Sequence, residues 1–304
     1  MSVSTIESTG RELRFLADHY EQNQTLRKAV EERLRAVLQG RDETWDTDIE
    51  PTDEDVTAEL HAIRDGVDVG PVPILGRSYR RYWVEERETF NDMMDAWKSH
   101  PVYDWINNVR GIGPTLGCKI LARLDPERAP HASSFWSYCG LSTVPGFKYR
   151  CDNCGREHGY PPSYTVNESH NRPGAKKKCD GKMLKVGECR VAMPKGYTIP
   201  GPDGSPRRPY DAYAKSMMYN VAVSFMKCGG PYEEIYRKAR AYYEVERPGW
   251  DKGRKHAAAL RKAEKLFLSH LWEVWRTALG LSVGEPYVVA ELGHQKIDPW
   301  EMAE

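Results

Sequence analysis

Apolar side chains recur every three to four residues through most of this chain, a pattern typical of amphipathic helices. The first such segment covers residues 11–39 and has an imperfect coiled-coil seam, interrupted at Asn23 and Arg27. Further helices are predicted over residues 82–98, 101–110, 114–124, 133–141, 211–227, 231–242 and 260–278. Alternating runs of Val, Ile and Thr are lacking outside residues 144–210, so the fold class is predicted to be mostly α.

Composition changes sharply near residue 144. Residues 144–210 are rich in Pro, Gly, Lys and Cys and show little periodicity, as expected of a small insert held together by a metal ion. The expected organisation is a coiled-coil-like helix over 1–40, an acidic linker over 41–80, a helical region over 81–143, the insert over 144–210, C-terminal helices over 211–283 and a tail over 284–304.

The charge of the chain is balanced in total and unbalanced along its length. The 304 residues hold 44 Lys+Arg and 44 Asp+Glu, but residues 1–100 hold only 13 of the bases and 22 of the acids, a net charge of −9. The remaining residues therefore carry +9, and their bases are densest over 172–190. Such a segment can bind a polyanion, pair with the acidic part of the chain, or form a solvated face.

Composition also limits the class of protein. Hydrophobic residues make up 40% of the chain, enough to fill a core, which excludes wholesale disorder. No apolar run approaches the roughly 18 residues of a membrane span, and the N-terminus lacks the apolar segment of a secretory signal. We therefore expect a soluble cytoplasmic protein, either nucleoid-associated or encoded by a virus or mobile element, with no membrane partner.

Residues 107–124, NNVRGIGPTLGCKILARL, resemble a helix-hairpin-helix motif. Gly111 and Gly113 permit a tight bend between two helices, and Pro114 suits the first turn of the second helix. The unpaired N–H groups of that turn form a ready phosphate site. A structural hairpin without a ligand is the alternative. The predicted DNA-binding residues are Arg110, Gly111, Ile112, Gly113, Thr115, Lys119 and Arg123, with Lys176, Lys177 and Lys178 from the basic segment.

Cysteine spacing in the insert predicts a zinc site. Cys151 and Cys154 form a C-x-x-C knuckle, and Cys179 lies beside a glycine turn downstream. Zinc in a structural site takes four protein ligands in a tetrahedron, so a fourth ligand is required. His170 is our choice, with Cys189 and His158 as alternatives. Four protein ligands leave no open position, so Zn²⁺ is expected to be structural.

No complete catalytic set is evident. The acids crowd into residues 41–69 or scatter over helical faces, and neither a P-loop nor a dinucleotide fingerprint occurs. Ser133, Ser134, Ser142 and His131 are candidate reactive residues, but serines at these positions can equally cap a helix. The catalytic residues are therefore left unassigned.

From Val109 onward the chain resembles the C-terminal helix-hairpin-helix domain of insertion-sequence-110/116/902 family transposases. The resemblance rests on VRGIGPTLGCKILARL, PERAPHASSFWSYCGL, AKSMMYNVAVSFMKCGGPYEEIYRKA and HAAALRKAEKLFLSHLWEVWR, and the helix at 11–39 is similar to the coiled coil that precedes this domain. It implies DNA binding and mobile-element ancestry. The family's RuvC-like nuclease domain has no counterpart here, and the family's Ser-Gly pair is missing after Leu141, so no catalytic role transfers to Ser142.

Together these features predict a DNA-binding protein that contacts the phosphate backbone through the hairpin and the basic zinc insert. Structured RNA is a further candidate ligand, and the N-terminal helix predicts a homo-oligomer. One alternative is a transposase or recombinase subunit that cleaves or transfers DNA strands with a serine or a partner-supplied nuclease site. The other is a zinc-stabilised protein-interaction module.

Overall fold

The computed structural model describes residues 3–40, 52–162, 164–166, 170–171, 177–284 and 296–303. It is mostly helical, as the sequence predicts, and it also contains a small sheet that the sequence analysis did not predict. The chain forms two compact units: Met1–His100 with Gly117–Ala122, and Pro101–Leu116 with Arg123–Glu304.

The first unit is built on three helices, α1 (Val3–Leu38), α2 (Asp53–Asp65) and α3 (Pro73–Lys98). Helices α1 and α3 pack antiparallel: Tyr20 meets Phe90, with 6.0 Å between ring centroids, while Val30, further along α1, packs with Tyr79, earlier on α3. The coiled-coil seam predicted for the first helix is thus covered by a helix of the same chain.

The two polar residues that interrupt the seam, Asn23 and Arg27, differ in whether their polar groups find partners. Arg27 is half-buried and pairs with Glu86 on α3 and with Glu31, 2.6 Å away, so its charge is compensated. Asn23 is 5% exposed, and its amide nitrogen has no hydrogen-bond partner among the described residues. A buried polar group without a partner costs stability but can fix the register of packed helices.

The predicted linker over 41–80 is wrong for most of its described part, since it contains α2 and the start of α3. The Thr52 side chain accepts a hydrogen bond from the backbone N–H of Asp55, and the Asp55 carboxylate accepts one from the N–H of Thr52, which forms a capping box. The apolar residues of α2 then bury against α1 and α3. This cluster comprises Val30, Leu34, Val56, Leu60, Ile63 and Tyr79.

The second unit is a helical body around α9 (Lys252–Ala278). Its core is aromatic: the rings of Phe225, Tyr232 and Phe267 lie 4.8–5.6 Å apart, and Trp105 stacks on Phe267 at 5.8 Å. The other elements of this body are α4 (Tyr103–Ile106), α5 (Pro114–Leu121, from Gly117 onward in the first unit), α6 (Ala132–Tyr138), α7 (Ala212–Cys228), α8 (Pro231–Glu246) and the 3₁₀ turn Trp300–Met302.

Sequence signals place several of these helix ends, although α9 begins at Lys252, eight residues before its predicted start. Asp211 caps α7 by accepting a hydrogen bond from the N–H of Ala214, at 2.7 Å, and Pro231 begins α8. Gly280 follows α9 with a φ of 66°, in the left-handed region that glycine tolerates.

All described strands lie within residues 143–207, close to the predicted insert. β1 (Thr143–Cys151) is the central strand of an antiparallel sheet, between β2 (Glu157–Tyr160) and β5 (Met183–Ala192). Two short pairs complete the insert: β3 (His170–Asn171) with β4 (Lys178–Cys179), and β6 (Ile199–Pro200) with β7 (Pro206–Arg207). Among the described residues, none of the helices has the length and apolar character needed to cross a membrane.

Candidate metal centre and basic surfaces

Four side chains of the insert converge on one point. Cys151 ends β1, Cys154 follows in the turn to β2, and His170 and Cys179 lie opposite each other in the β3–β4 pair. Their sulfur and nitrogen donor atoms all lie within 4.8 Å of one another, so the four residues can hold a metal ion. These are the four ligands that the sequence predicts.

The distances between donor atoms fit a tetrahedron around zinc. With Zn–S bonds of about 2.3 Å, two sulfurs on one zinc lie about 3.8 Å apart, and a sulfur and a nitrogen about 3.6 Å apart. The Sγ atoms of Cys151 and Cys179 are 3.7 Å apart, and Cys154 Sγ lies 3.3 Å from His170 Nε2. A disulfide needs about 2.0 Å between sulfurs, and all seven cysteines are free thiols.

Local backbone structure creates the first half of the centre. Gly155 has a φ of 69°, and its N–H donates to the carbonyl of Cys151 at 3.1 Å. The N–H of Cys151 donates to the carbonyl of Arg156 at 2.9 Å, which closes the turn, and the N–H of Cys154 points at Cys151 Sγ from 3.5 Å. The spacing C-x-x-C-G therefore places both thiols on the inner side of one tight turn.

Two hydrogen bonds join the cysteine turn at Cys151–Cys154 to the turn that follows Cys179. Asp152 donates its N–H to the carbonyl of Lys182, and Lys182 donates its own N–H to the Asp152 carboxylate at 2.9 Å. Gly181 lies inside this contact, and a Cβ placed on it would fall 2.5 Å from Cys151 Sγ. Only a residue without a side chain lets the two turns approach this closely.

The thiols differ in how easily they ionise. Burial opposes ionisation of Cys151, but the backbone N–H groups of Cys154 and Asn153 hydrogen-bond its sulfur, and the pKa of the thiol falls to about 7. Burial raises the pKa of Cys154, and the neighbouring thiols of Cys179 and Cys151 raise it further. The centre thus favours one thiolate first, which suits the binding of a cation.

The two alternative ligands lie outside the cluster. Cys189 is on β5, opposite Gly146 of β1. His158 is on β2 with its ring 4.4 Å from that of Tyr160, and burial, with the charges of Arg254 and Arg156, lowers its pKa to about 4. His170 is therefore the fourth member of the set.

The lysines around the β3–β4 pair are exposed. Lys177 and Lys178 immediately precede the ligand Cys179, and Lys182 follows Gly181. No ion pair joins these three ammonium groups to a carboxylate in the described part of the chain. Lys176, predicted to bind DNA with them, lies outside the described residues. These three lysines are called the lysine lobe below.

The glycine bend is partly accessible. Gly111 takes a φ of 95° and is half-buried, with its carbonyl accepting a 2.6 Å hydrogen bond from Ser224 Oγ. Gly113 is exposed, and a Cβ on it would meet no atom within 4 Å. Arg110 is exposed and Thr115 half-buried, whereas Ile112 points into the core at 5% exposure.

The first arm of the predicted hairpin is shorter than expected. The helix predicted over 101–110 is only the single turn α4. After it, backbone N–H groups donate to the carbonyl three residues earlier, as in 3₁₀ turns: Asn108 to Trp105, Val109 to Ile106 and Ile112 to Val109. Burial of the apolar residues in this stretch bends the chain before a second helical turn forms.

Two of the predicted DNA contacts are engaged within the protein. In the first unit, Lys119 Nζ lies 2.6 Å from Glu21 Oε1, with the lysine side chain only 18% exposed. In the second, the Arg123 guanidinium lies 4.4 Å from the centre of the Tyr213 ring. Their predicted binding to phosphate remains a prediction.

The candidate reactive residues do not assemble. Ser142 Oγ is 2.8 Å from Ser137 Oγ, and the backbone N–H of Ser134 bonds the carbonyl of His131 at the start of α6. Among the described hydrogen bonds, none joins His131 to a serine side chain. The serine-based alternative gains no support from this geometry.

A second basic surface was missed by the sequence analysis. Residues 236–265, which span the end of α8 and the start of α9, hold ten Lys+Arg and four Asp+Glu. The aromatic residues Tyr242, Tyr243 and Trp250 are interleaved with these charges, and the signal was readable as YYEVERPGWDKGRK. We call residues 236–265 the aromatic corner.

Comparisons of the chain with protein-family models, with curated proteins and with solved structures gave no match.

Proposed function

We propose that this protein binds DNA through its phosphate backbone, with the lysine lobe as the main contact and the glycine bend as a second. The ion in the insert is zinc, and it is structural. Three sulfurs and one imidazole nitrogen form a ligand set typical of structural zinc, and they leave no position for a substrate or water. The resemblance to transposase domains is compatible with a DNA ligand, but the proposal does not depend on it.

The observation that carries the proposal is the position of the lysines relative to the metal ligands. Lys177 and Lys178 directly precede Cys179, and Lys182 is hydrogen-bonded to the cysteine knuckle through its backbone. Three ammonium groups without an ion pair to a described carboxylate thus lie directly beside the ligand-bearing turns that the ion fixes. Side chains held in this way lose less freedom on binding a polyanion than lysines on a loose loop.

The glycine bend supports the same ligand. Gly113 is open to solvent at the start of α5, where the free N–H groups and the helix dipole favour a phosphate. Arg110 is exposed beside it. The lysine lobe and the glycine bend would both contact the backbone of DNA and not its bases, so binding with little sequence preference is expected.

The test compares two triple variants of the zinc-loaded protein on a labelled duplex by fluorescence anisotropy. Changing Lys177, Lys178 and Lys182 to Ala removes the lysine lobe. Changing Arg14, Lys28 and Lys98 to Ala removes the same charge from exposed positions of the first unit. Each lost phosphate contact flattens the plot of log affinity against log salt by about 1. We therefore expect the slope to fall by about 3 for the lobe variant and to stay unchanged for the control.

Two results would contradict the proposal. One is duplex binding by the wild-type protein that does not depend on salt between low and physiological ionic strength. The other is an equal loss of binding in both triple variants, because that would reflect total charge and not the lysine lobe.

A further inference from the structure

The aromatic corner joins α8 to α9 and presents rings together with cations. Tyr243 and Trp250 stack with centroids 5.4 Å apart and an interplanar angle of 29°. The Arg254 guanidinium lies 4.2 Å from the centre of the Trp250 ring, so the indole contacts both the Tyr243 ring and this cation. This half-buried stack forms a rigid base for the corner.

Tyr242 is the accessible ring beside that base. It is 50% exposed, and it meets Tyr243 edge-on at 5.4 Å. Lys262 Nζ lies 5.1 Å from the centre of the Tyr242 ring and 5.6 Å from that of Tyr243. A large exposed ring of this kind, held by a neighbouring ring and next to an ammonium group, resembles the stacking positions used for unpaired bases.

Two of the four acids of the corner are paired, while Glu246 is exposed and Glu264 is buried. Glu244 pairs with Arg240 at 2.9 Å and with Lys255 at 2.5 Å. Asp251 pairs with Arg156 at 3.2 Å. The exposed cations Arg247, Lys252 and Lys262 have no ion pair with a carboxylate among the described residues. The surface around Tyr242 is therefore net positive, which complements a sugar–phosphate chain.

The corner is continuous with the metal-binding insert. Arg156, two residues after the ligand Cys154, reaches Asp251 at the start of α9. Arg254 donates to the backbone carbonyl of Glu157 on β2 at 2.8 Å. Both contacts lie within the second unit, so the insert and the corner pack directly against each other.

We propose that the aromatic corner binds unpaired nucleotides, with a base stacked on Tyr242 and the backbone held by Lys262, Arg247 and Lys252. This inference rests on the proposed function and narrows its substrate class to nucleic acid with a single-stranded segment. A base inside a duplex cannot reach an aromatic face, so stacking on Tyr242 contributes to the binding of single strands and not of duplexes. Stacking requires only a base and a phosphate chain, which single-stranded DNA and RNA share.

The experiment measures binding of three probes to the zinc-loaded protein: a thymidine oligonucleotide, a uridine oligonucleotide and a duplex, each of about twenty nucleotides, to exceed the range of about 4–16 known for single-strand sites. Tyr242→Leu removes the aromatic face and keeps an apolar side chain, while Tyr242→Phe keeps the face. Tyr219→Leu is the matched control, because Tyr219 is 55% exposed on α7.

We expect Tyr242→Leu to weaken binding of at least one single-stranded probe by about fivefold or more, the loss typical of one stacked base. Duplex binding should change less than twofold, and Tyr242→Phe and Tyr219→Leu should bind all probes as the wild-type protein does. A loss confined to the thymidine or the uridine probe supports the proposal and identifies DNA or RNA as the source of the strand.

Other outcomes overturn the inference. Tyr242→Leu binding all probes like the wild type excludes stacking at this ring, and an equal loss for duplex and single strands shows a role that does not need unpaired bases. Failure of Tyr242→Phe to retain binding points to the hydroxyl group and not to the ring. Each of these results leaves the salt dependence of duplex binding by the lysine lobe intact, so the failure of the two proposals can be told apart.

Discussion

The substitution Gly181→Ala is a sharp probe of the metal centre because it adds one methyl group at a known distance from a ligand. The new Cβ would lie 2.5 Å from Cys151 Sγ, 2.5 Å from Asn153 Cβ and 2.7 Å from Asp152 Oδ1. Ordinary contacts between heavy atoms of this kind lie at about 3.5 Å or more. The knuckle must therefore retreat by about 1 Å, whereas metal–ligand distances tolerate only about 0.2 Å.

We expect Gly181→Ala to weaken zinc binding by about 10–100-fold, the range seen when groups that support a metal ligand are changed. Competition with a chromogenic chelator measures this, and the absorption spectrum of the Co²⁺-loaded protein reports whether the tetrahedral geometry survives. Gly187→Ala is the matched control, because Gly187 lies on β5 and a Cβ there meets no atom within 4 Å.

Equal zinc affinity in the two variants would refute the reasoning, since it would show that the close approach of the two turns does not position Cys151. A loss in both variants would also count against it, because it would reflect the cost of alanine in the insert generally.

Three further predictions follow from described contacts. Removing the ion with a chelator should abolish hydrogen-exchange protection in β3–β4 and at the Cys151 end of β1, because the metal ligands connect these segments. The opposite end of β1, which packs with β5 in a separate apolar cluster, and the core of α9 should stay protected. Asp251→Asn should lose only the partly exposed ion pair with Arg156, whereas Asp251→Ala should also lose the helix cap, in which Asp251 accepts from the N–H of Arg254. The free energy of unfolding, measured by urea titration, should therefore be about 1 kcal/mol lower for Asp251→Ala than for Asp251→Asn. Burial lowers the pKa of His270 from 6.5 to about 4, so the unfolded chain takes up this proton first. His270 alone therefore contributes a loss of stability of about 1.4 kcal/mol per pH unit below 6.5, which levels off near 4. His270→Gln should show a shallower decline, and an unchanged one would contradict the assignment.

The metal centre was predictable because its chemistry is local. C-x-x-C followed by glycine fixes a turn whatever surrounds it, and the few cysteines and histidines downstream had few other uses in so polar an insert. The choice of His170 over His158 was not settled by sequence alone. It depended on the pairing of β3 with β4, which places His170 opposite Cys179.

Helix α2 was missed although its signals were present. The acidic residues around it read as a solvated linker, but Thr52 and Asp55 form a capping box and Val56, Leu60 and Ile63 lie on one helical face. Low overall hydrophobicity obscured a short apolar stripe, which only becomes stable against α1 and α3. Propensity summed over a window cannot detect such tertiary stabilisation.

Charge partners were the least predictable feature. Lys119 lies in a motif that favours phosphate binding, yet it pairs with Glu21 from the N-terminal helix, far away in sequence. The aromatic corner was overlooked because the predicted helices end at 242 and begin again at 260, so Tyr243, Trp250 and Arg254 belonged to neither. Their mutual approach requires the turn between α8 and α9.

The shortness of the β3–β4 pair beside the lysine lobe has a practical consequence. β3 and β4 are only two residues long each, and His170 and Cys179 face each other within that ladder. Such a short ladder cannot hold its shape once the ion leaves. Preparations purified on chelating resins or stored with EDTA would therefore present Lys177 and Lys178 on a slack loop, and a binding assay run on such material would not test the proposed contact.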